Sequence, residues 1–310
     1  MVVHGSPPLG RRSGAAPGTD RRAYARSLRA ACPSYPGTVT STEFLTWHDG
    51  ALGADPAGTP DDDPTTDGGV LVADSWLVAD GRVRALEAHR TRFVAGVSER
   101  VPDLAVEVDA FWAAAVARLP RTGAWFPRVE VVTDGAVRDR ADTAPRLRLL
   151  VRPAPPRRQE AVVATAPRDP RTSPRLKGPD LAALGAVRDD VRALGADEAV
   201  LLAEDGAVAE GAWSSLVWWE GDALCVPPDD VPHLPGVTLG TLVALATALG
   251  VDVRRERRTP ADLEGREAWL LSALHGARIV TRWVDGPSLA EEPGRLRAWR
   301  TRLDALRRPL

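Results

Sequence analysis

The stretch LKGPDLAALGAVRDDVRALGADEAVLL, residues 176–202, contains Lys177, the only lysine among the 40 lysine and arginine residues of the chain. Lysine can lose its proton and act as an amine nucleophile, whereas arginine stays charged at any accessible pH. The residues after Lys177 have helical spacing, Gly195 is a typical helix end, and DEAVLL has the composition of a strand. Two interpretations are open at this point. The lysine is a retained nucleophile, or it survives by chance in a chain whose codons favour arginine.

The overall composition indicates a folded globular protein with no general affinity for polyanions. A length of 310 residues suggests about two domains, and 44% hydrophobic residues are enough for a sizeable core. The formal net charge is -2, so neither nucleic acid nor a membrane surface is the expected partner. No apolar run approaches the roughly 20 residues of a membrane span. Cys32 and Cys225 are too few for a disulfide framework, which favours a reducing cytoplasm.

Two domains joined by an extended connection are predicted from the distribution of proline, glycine and apolar runs. The connection is rich in proline and arginine and contains at most one short strand, AVVAT. The first 36 residues have a composition that describes either a disordered tail or a transit peptide. The predicted divisions are a disordered tail at 1–36, a small α+β domain at 37–153, the interdomain connection at 154–176 and a larger mixed-sheet domain at 177–310.

Local patterns in the small domain predict its turns and its first helix. Residues 51–69 are a Pro, Gly and Asp cluster and are predicted to form a loop. Residues 70–83, VLVADSWLVADGRV, predict two strands around an Asp-Gly turn. The helical spacing that follows places three apolar residues on one buried stripe: Leu86, Phe93 and Val97.

Glu210 is the clearest candidate for a functional acid, because it stands among small and apolar residues of a predicted strand. The period of two places Glu210, Ala212 and Ser214 on one face of that strand. Two interpretations are open. The glutamate caps a sheet edge, or it holds a cationic ring nitrogen.

Three further motifs suit an anion. In LPGVTLGTL, residues 234–242, a helix begins with small residues, so its free N–H groups and Thr238 can bind an anion or form an ordinary cap. LLSALHG places Ser272 and Ala273 at a strand end, where backbone N–H groups can meet a phosphate. His89 and Arg92 lie three apart and so share one helical face, either as ligands or as an exposed polar stripe. The five histidines are scattered without metal-ligand spacing, so no metal site is predicted.

In this order the motifs resemble the fold type IV pyridoxal phosphate (PLP) enzymes, which include branched-chain and D-amino acid aminotransferases and 4-amino-4-deoxychorismate lyase. The resemblance runs from about residue 70 to 290. It implies an α+β / α/β two-domain fold of the D-amino acid aminotransferase type, PLP as cofactor and a homodimer. Lys177 takes the place of the Schiff-base lysine. An amine there must add to an aldehyde and then carry a proton, and arginine can do neither.

The resemblance also assigns the other site residues. HRTR puts Arg92 on the cofactor phosphate, and EGAWSS puts Glu210 at the pyridine nitrogen, with Ser215 where the family pattern has asparagine. Ser75 stands where the lyases carry a substrate-side threonine. The implied cofactor contacts are Arg92, Lys177, Glu210, Ser214, Val237, Thr238, Ser272, Ala273 and Leu274.

The implied function is an aminotransferase that moves an amino group between an amino acid or amine and a 2-oxo acid. One alternative is 4-amino-4-deoxychorismate lyase, which releases pyruvate and 4-aminobenzoate. Another is a non-catalytic relative that keeps the fold and binds a partner. Retention of Lys177 in a chain otherwise free of lysine argues against the last.

Overall fold

The computed structural model describes residues 42–54, 69–133 and 144–310, all within one unit that spans Thr40–Leu310. The predicted tail and residues 55–68 of the predicted loop lie outside the described residues. None of the helices in the described ranges combines the length and the apolar composition needed to cross a bilayer.

The described elements comprise runs of strands separated by single helices or helix pairs. The helices are α1 Leu86–Arg100, α2 Val108–Arg118, α3 Leu181–Arg192, α4 Val237–Ala248 and α5 Arg295–Ala305, with short 3-10 helices at Pro102–Leu104 and Ala261–Leu263. The strands are β1 Glu43–His48, β2 Ala51–Ala54, β3 Val70–Ser75, β4 Val78–Ala79, β5 Arg82–Val83, β6 Ala124–Trp125, β7 Arg128–Val132, β8 Arg146–Val151, β9 Glu160–Thr165, β10 Glu198–Leu202, β11 Val208–Gly211, β12 Ser215–Glu220, β13 Ala223–Val226, β14 Val253–Arg255, β15 Glu267–Ser272, β16 Gly276–Val284 and β17 Arg308–Pro309.

An antiparallel five-stranded sheet, in the order β2-β1-β8-β7-β3, carries α1 and α2 on its core side. Phe93 and Val97 of the predicted stripe are fully buried, while Leu86 is half-buried. Phe93 packs on Phe111 of α2 with ring centroids 6.2 Å apart. This aromatic packing holds α1 against α2, and Val72 of β3 belongs to the same buried cluster, which positions α1 on the sheet.

Two Asp-Gly turns shape the small half. At the predicted turn Asp80 and Gly81 have φ of 48° and 68°, as a tight hairpin requires. Asp49 and Gly50 have φ of 49° and 79° and join β1 to β2 in the same way. The prediction of a loop over residues 51–69 is therefore wrong for Ala51–Ala54, because pairing with β1 extends that segment.

A mixed eight-stranded sheet forms the larger half, in the order β11-β10-β9-β16-β15-β12-β13-β14. β9 pairs in parallel with both β10 and β16. The predicted short strand AVVAT lies in β9, so part of the predicted connection belongs to this sheet. The mixed fold class, with a small α+β half and a larger mixed-sheet half, is confirmed, whereas the domain boundaries stay predictions. At the end of the chain β17 returns to pair with β5.

The loop that carries Lys177 is docked against β3. The carbonyl oxygen of Lys177 accepts a hydrogen bond of 2.7 Å from the N–H of Ala73. Gly178 follows with φ of +145°, and a Cβ on it would lie 2.7 Å from the Cα of Val72. Only glycine lets the two backbones approach this closely.

The carboxylate of Asp180 also holds the loop that carries Lys177. It accepts hydrogen bonds from the N–H of Thr172 at 3.0 Å and from the N–H of Ser173 at 2.9 Å. The segment before the lysine is therefore held by bonds to the start of α3, and the position of Lys177 is determined from both sides.

Gly178→Ala is expected to lower the free energy of unfolding by about 2–4 kcal/mol, because it adds an unfavourable φ to a collision with β3. Gly206→Ala is the matched control, since Gly206 has φ of +80° but open space around its Cβ position. That control is expected to lose about 1 kcal/mol. Urea unfolding of both variants measures the difference, and equal losses would contradict the close approach.

Candidate functional site

Lys177 is half-buried, and its amine lies among charged groups of both signs. Burial lowers the pKa of Lys177 to about 8, and Arg92 adds to the decrease while Asp74 and Glu210 oppose it. No described residue is a hydrogen-bond partner of Nζ. The structure thus brings the predicted lysine, arginine and glutamate within electrostatic range of one another. At neutral pH the unprotonated fraction of such an amine is therefore well above that of an ordinary lysine.

Asp74 clamps the two polar residues of the predicted H-x-x-R motif. Its carboxylate is fully buried and lies 2.7 Å from Nδ1 of His89. Arg92 donates to both carboxylate oxygens, from Nε at 2.8 Å and from Nη2 at 2.9 Å. Burial alone would raise the pKa of Asp74, but Arg92 and His89 hold it well below its ordinary value. The remaining nitrogen, Nη1 of Arg92, donates to the carbonyl of Pro235 at 3.2 Å.

Glu210 is buried on β11 and has two described donors on one oxygen. Its Oε1 accepts from the N–H of Leu234 at 3.1 Å and from the guanidinium of Arg171. Asp169 binds the other side of that guanidinium, with 2.6 Å between Oδ2 and Nη2. Burial raises the pKa of Glu210 to about 7, against the opposing influence of Arg171, the Leu234 N–H and Lys177. A carboxyl group in this range can hold or release a proton near neutrality.

The segment Leu234–Thr238 connects the site residues to the start of α4. Leu234 contacts Glu210 and Pro235 contacts Arg92, as described above. A Cβ on Gly236 would collide with Oγ of Ser215, so this glycine lets the segment pass close to the start of β12. α4 then begins at Val237, and no side chain caps its first turn. Its first N–H groups are therefore available to an anion.

Arg84 joins two segments that the sequence analysis associated with phosphate. Its Nη2 donates to Oγ1 of Thr238 at 3.1 Å, and its Nη1 lies 3.8 Å from the position that a Cβ on Gly276 would take. Gly276 follows the turn that contains Ala273 and Leu274. In that turn Oγ of Ser272 accepts the N–H of His275 at 3.2 Å. Arg84, which was not predicted from the sequence, thus binds Thr238 and lies near Gly276, just after the 272–274 turn.

The side chain of Ser214 is bonded to a different group of residues from that of Glu210. The predicted continuous strand face of residues 210, 212 and 214 is wrong, because β11 ends at Gly211 and a tight turn reverses the chain. The hydroxyl of Ser214 donates to Glu198 at 3.4 Å, and Glu198 pairs with Arg188 at 3.0 Å. Ser215 is the serine that faces the 234–238 segment. The predicted role of Ser214 at the cofactor stays a prediction.

Ser75 lies at the end of β3, beside the clamp. It is buried, and its N–H donates to Oδ1 of Asp74 at 2.7 Å. Its substrate-side role stays a prediction. Asp74, Arg84 and Arg171 were not predicted from the sequence. Only Asp74 had a sequence signal, as the acid of ADSW in the strand before the H-x-x-R helix. In the described ranges no three His, Cys, Asp or Glu side chains are arranged to hold a metal ion.

The chain belongs to the family described as Amino-transferase class IV, whose model matches residues 71–283. This family comprises PLP-dependent transferases and lyases, so the predicted family and cofactor are confirmed.

Two curated relatives match parts of the chain. Aminodeoxychorismate lyase of Bacillus subtilis is 35% identical over 78 residues, covering 25% of this chain and 27% of that protein. Branched-chain-amino-acid aminotransferase of Escherichia coli K12 is 29% identical over 126 residues, covering 41% and 40%. The matches thus span between about a quarter and two fifths of these relatives.

Solved structures match over more of the chain. A fold IV transaminase from Curtobacterium pusillum has a TM-score of 0.69 at 20% identity, over 85% of this chain and 97% of that one. A hypothetical aminotransferase from Mycobacterium tuberculosis in its PLP-bound form has a TM-score of 0.65 at 24% identity, over 86% and 98%. At these identities the similarity establishes the fold.

The described residues fit PLP in its three chemical parts. A desolvated amine of lowered pKa suits the aldehyde, and a buried carboxyl group suits the ring nitrogen. The uncapped start of α4 and the guanidinium of Arg84, which has no carboxylate partner in the described residues, suit the phosphate.

Asp74→Asn is expected to lower the free energy of unfolding by about 2–4 kcal/mol, because it leaves the largely buried guanidinium of Arg92 without its counter-charge. Asp109→Asn is the control, since Asp109 pairs with Arg90 at 2.7 Å on the surface, where such a pair contributes about 1 kcal/mol or less. Urea unfolding compares the two.

The Asp74 clamp also predicts how the stability of the protein depends on pH. Because the pKa of Asp74 is depressed on folding, its contribution to stability is fully present above the unfolded pKa of about 3.9 and is lost as pH falls through the folded value. The Asn variant should lose this part of the acid dependence, and an unchanged acid limb would contradict the clamp.

Acetylation of Lys177 is expected to speed up as pH rises through about 8 and then level off, because the neutral amine is the reactive form. Peptide mapping follows this single lysine without interference from another lysine. Arg92→Gln should move the midpoint upward, since Arg92 lowers the pKa of Lys177. A midpoint near the ordinary 10.5 in the wild type would refute the desolvated, charged surroundings of this amine.

Proposed function

We propose that the protein is a PLP-dependent aminotransferase that moves an amino group between an amino acid or amine and a 2-oxo acid, with Lys177 as its catalytic amine. The observation that carries this proposal is the placement of the only lysine near Arg92 and Glu210, where desolvation lowers its pKa to about 8. An amine of this kind can act as a nucleophile and then as a base at neutral pH.

PLP, when bound, supplies an aldehyde for amines and a ring that withdraws electrons from a substrate α-carbon. Glu210 is proposed to hold a proton at the ring nitrogen, since its Oε2 has no described partner while its Oε1 is bound by Arg171 and Leu234. Arg171 keeps that carboxyl group oriented. Nζ of Lys177 is proposed to take the proton from the α-carbon of the amino donor and to deliver a proton when the acceptor is aminated.

The phosphate is proposed to lie at the uncapped start of α4, with Val237 and Thr238 there and with Arg92 close by at Pro235. The turn of Ser272, Ala273 and Leu274 is proposed to complete this contact. Ser75, beside the Asp74 clamp, is proposed to contact substrate. We further propose that the protein is a homodimer.

A second candidate is 4-amino-4-deoxychorismate lyase. The segment 35% identical to the Bacillus subtilis lyase supports it, as does a serine at position 75, where the lyases carry a threonine. The same lysine amine serves both reactions, so the products decide between them. A transaminase needs a 2-oxo acid acceptor, whereas the lyase releases pyruvate and 4-aminobenzoate without one.

The purified protein is expected to become yellow with PLP, and borohydride reduction should fix the cofactor mass on Lys177. Lys177→Ala should lose both signals, and Lys177→Arg, which retains the charge, should lose them too because arginine is not a nucleophile. A wild type that binds no PLP would refute the proposed function.

Substrate assays then separate the two reactions. Incubation with amino acid and 2-oxo acid pairs is expected to give exchange of amino groups. Incubation with 4-amino-4-deoxychorismate alone is expected to release no pyruvate. Pyruvate release without an acceptor would favour the lyase instead.

A further inference from the structure

Arg84 is a buried cation with no acidic partner among the described residues. It is 8% exposed and lies just before α1. Its one hydrogen-bond acceptor in the described part of the chain is Oγ1 of Thr238, at 3.1 Å. Of the neighbouring arginines, Arg300 donates to the backbone carbonyls of His275 and Ala277, and the other two have a carboxylate partner. Arg157 and Arg307 both bind Asp304, at 3.0 Å and 2.7 Å.

The charge around Arg84 is positive. Burial lowers the pKa of Arg84 to about 10, and Arg307, Arg157 and Arg300 add to the decrease, opposed by Asp304. The single carboxylate is already shared by two other guanidinium groups. A desolvated cation without a counter-ion costs free energy, and an anion bound next to it would offset that cost.

The position of Arg84 points to where such an anion would lie. Thr238 is the second residue of α4, whose twelve residues include no charged side chain and whose first turn has no side-chain cap. Nη1 of Arg84 lies close to Gly276, which follows the 272–274 turn. Arg84 is therefore located at the positive end of a helix, with Gly276 and the strand end that carries the 272–274 turn on its other side.

We propose that Arg84 is a second guanidinium for the cofactor phosphate, acting beside Thr238 as Arg92 acts beside Pro235. By donating to Oγ1 of Thr238, Arg84 leaves the hydroxyl hydrogen of Thr238 free for a phosphate oxygen. Arg92 spends two of its nitrogens on Asp74, so Arg84 is the guanidinium with more donors available. This inference rests on the proposed function in requiring PLP as the cofactor.

A purely structural role makes a different prediction. If Arg84 only supported Thr238, removing it would destabilise the protein before any cofactor is added. If the role of Arg84 is to bind an anion, removing this unpaired buried cation should leave the melting temperature of the cofactor-free protein unchanged or higher. The phosphate group itself can be tested by comparing PLP with pyridoxal, which lacks it.

The experiment is equilibrium titration of purified protein with PLP, with pyridoxal and with inorganic phosphate as competitor. Arg84→Gln is expected to raise the Kd for PLP about 10- to 100-fold, as for loss of a hydrogen bond to a charged group. The Kd for pyridoxal should change less than about 2-fold, and inorganic phosphate should compete less well. Arg84→Lys should lose less than Arg84→Gln, because it retains the charge. Arg90→Gln, an exposed arginine of α1, is the control and should match the wild type.

Three results would overturn the inference. The first is an equal loss of affinity for PLP and pyridoxal. The second is no loss for PLP, including the case in which only inorganic phosphate binds more weakly. The third is a cofactor-free Arg84→Gln protein that melts much lower or fails to fold, with Arg84→Lys restoring stability. If the wild type binds PLP in each case, the proposed function stands while the role of Arg84 falls.

Discussion

The buried carboxylate of Asp74 is the contact on which the rest of the site depends. It lies on β3 and accepts two nitrogens of Arg92, while Nδ1 of His89 lies 2.7 Å away, so it joins helix α1 to the sheet through charge as well as through packing. The residues on either side are also engaged. Ala73 donates to the lysine loop, and Ser75 donates to Asp74 itself. Three successive residues of one strand thus set the relative positions of the lysine, the arginine and a serine.

One short segment connects this clamp to the residues of the larger sheet. The segment Leu234–Thr238 touches Arg92 by a carbonyl, Glu210 by an N–H and Arg84 by a hydroxyl. Its contacts comprise one donor and two acceptors, so an acid and two cations can meet within a few residues. The pKa values of Lys177 and Glu210 shift toward each other, to about 8 and about 7. Two groups that ordinarily differ by several units can therefore hold or release protons in the same pH range.

Much of this arrangement could be predicted from the sequence because its signals are local. The Asp80–Gly81 turn, helix α1 and the start of α4 depend on residues close in the chain, and the order of the motifs indicated the family. The alternation rule failed after Gly211, where a turn of two residues interrupts the strand period.

The contacts that sequence analysis missed join distant residues. Arg84 and Thr238 are 154 positions apart, and Arg171 and Glu210 are 39 apart. In a chain with so many arginines, no single one is marked by its local surroundings as buried. The partners of Arg84 and Arg171 can be identified only once distant parts of the chain are folded together.

Because the lysine loop is docked against β3, proteolytic cleavage after Lys177 can measure local opening of the protein. A protease that cuts after lysine has one target bond in the chain, between Lys177 and Gly178. In the folded state that bond lies against the backbone of β3, where a protease cannot bind it in extended form. The rate of this single cut therefore measures how often the loop leaves the strand, and ligands that stabilise the docked loop would slow it.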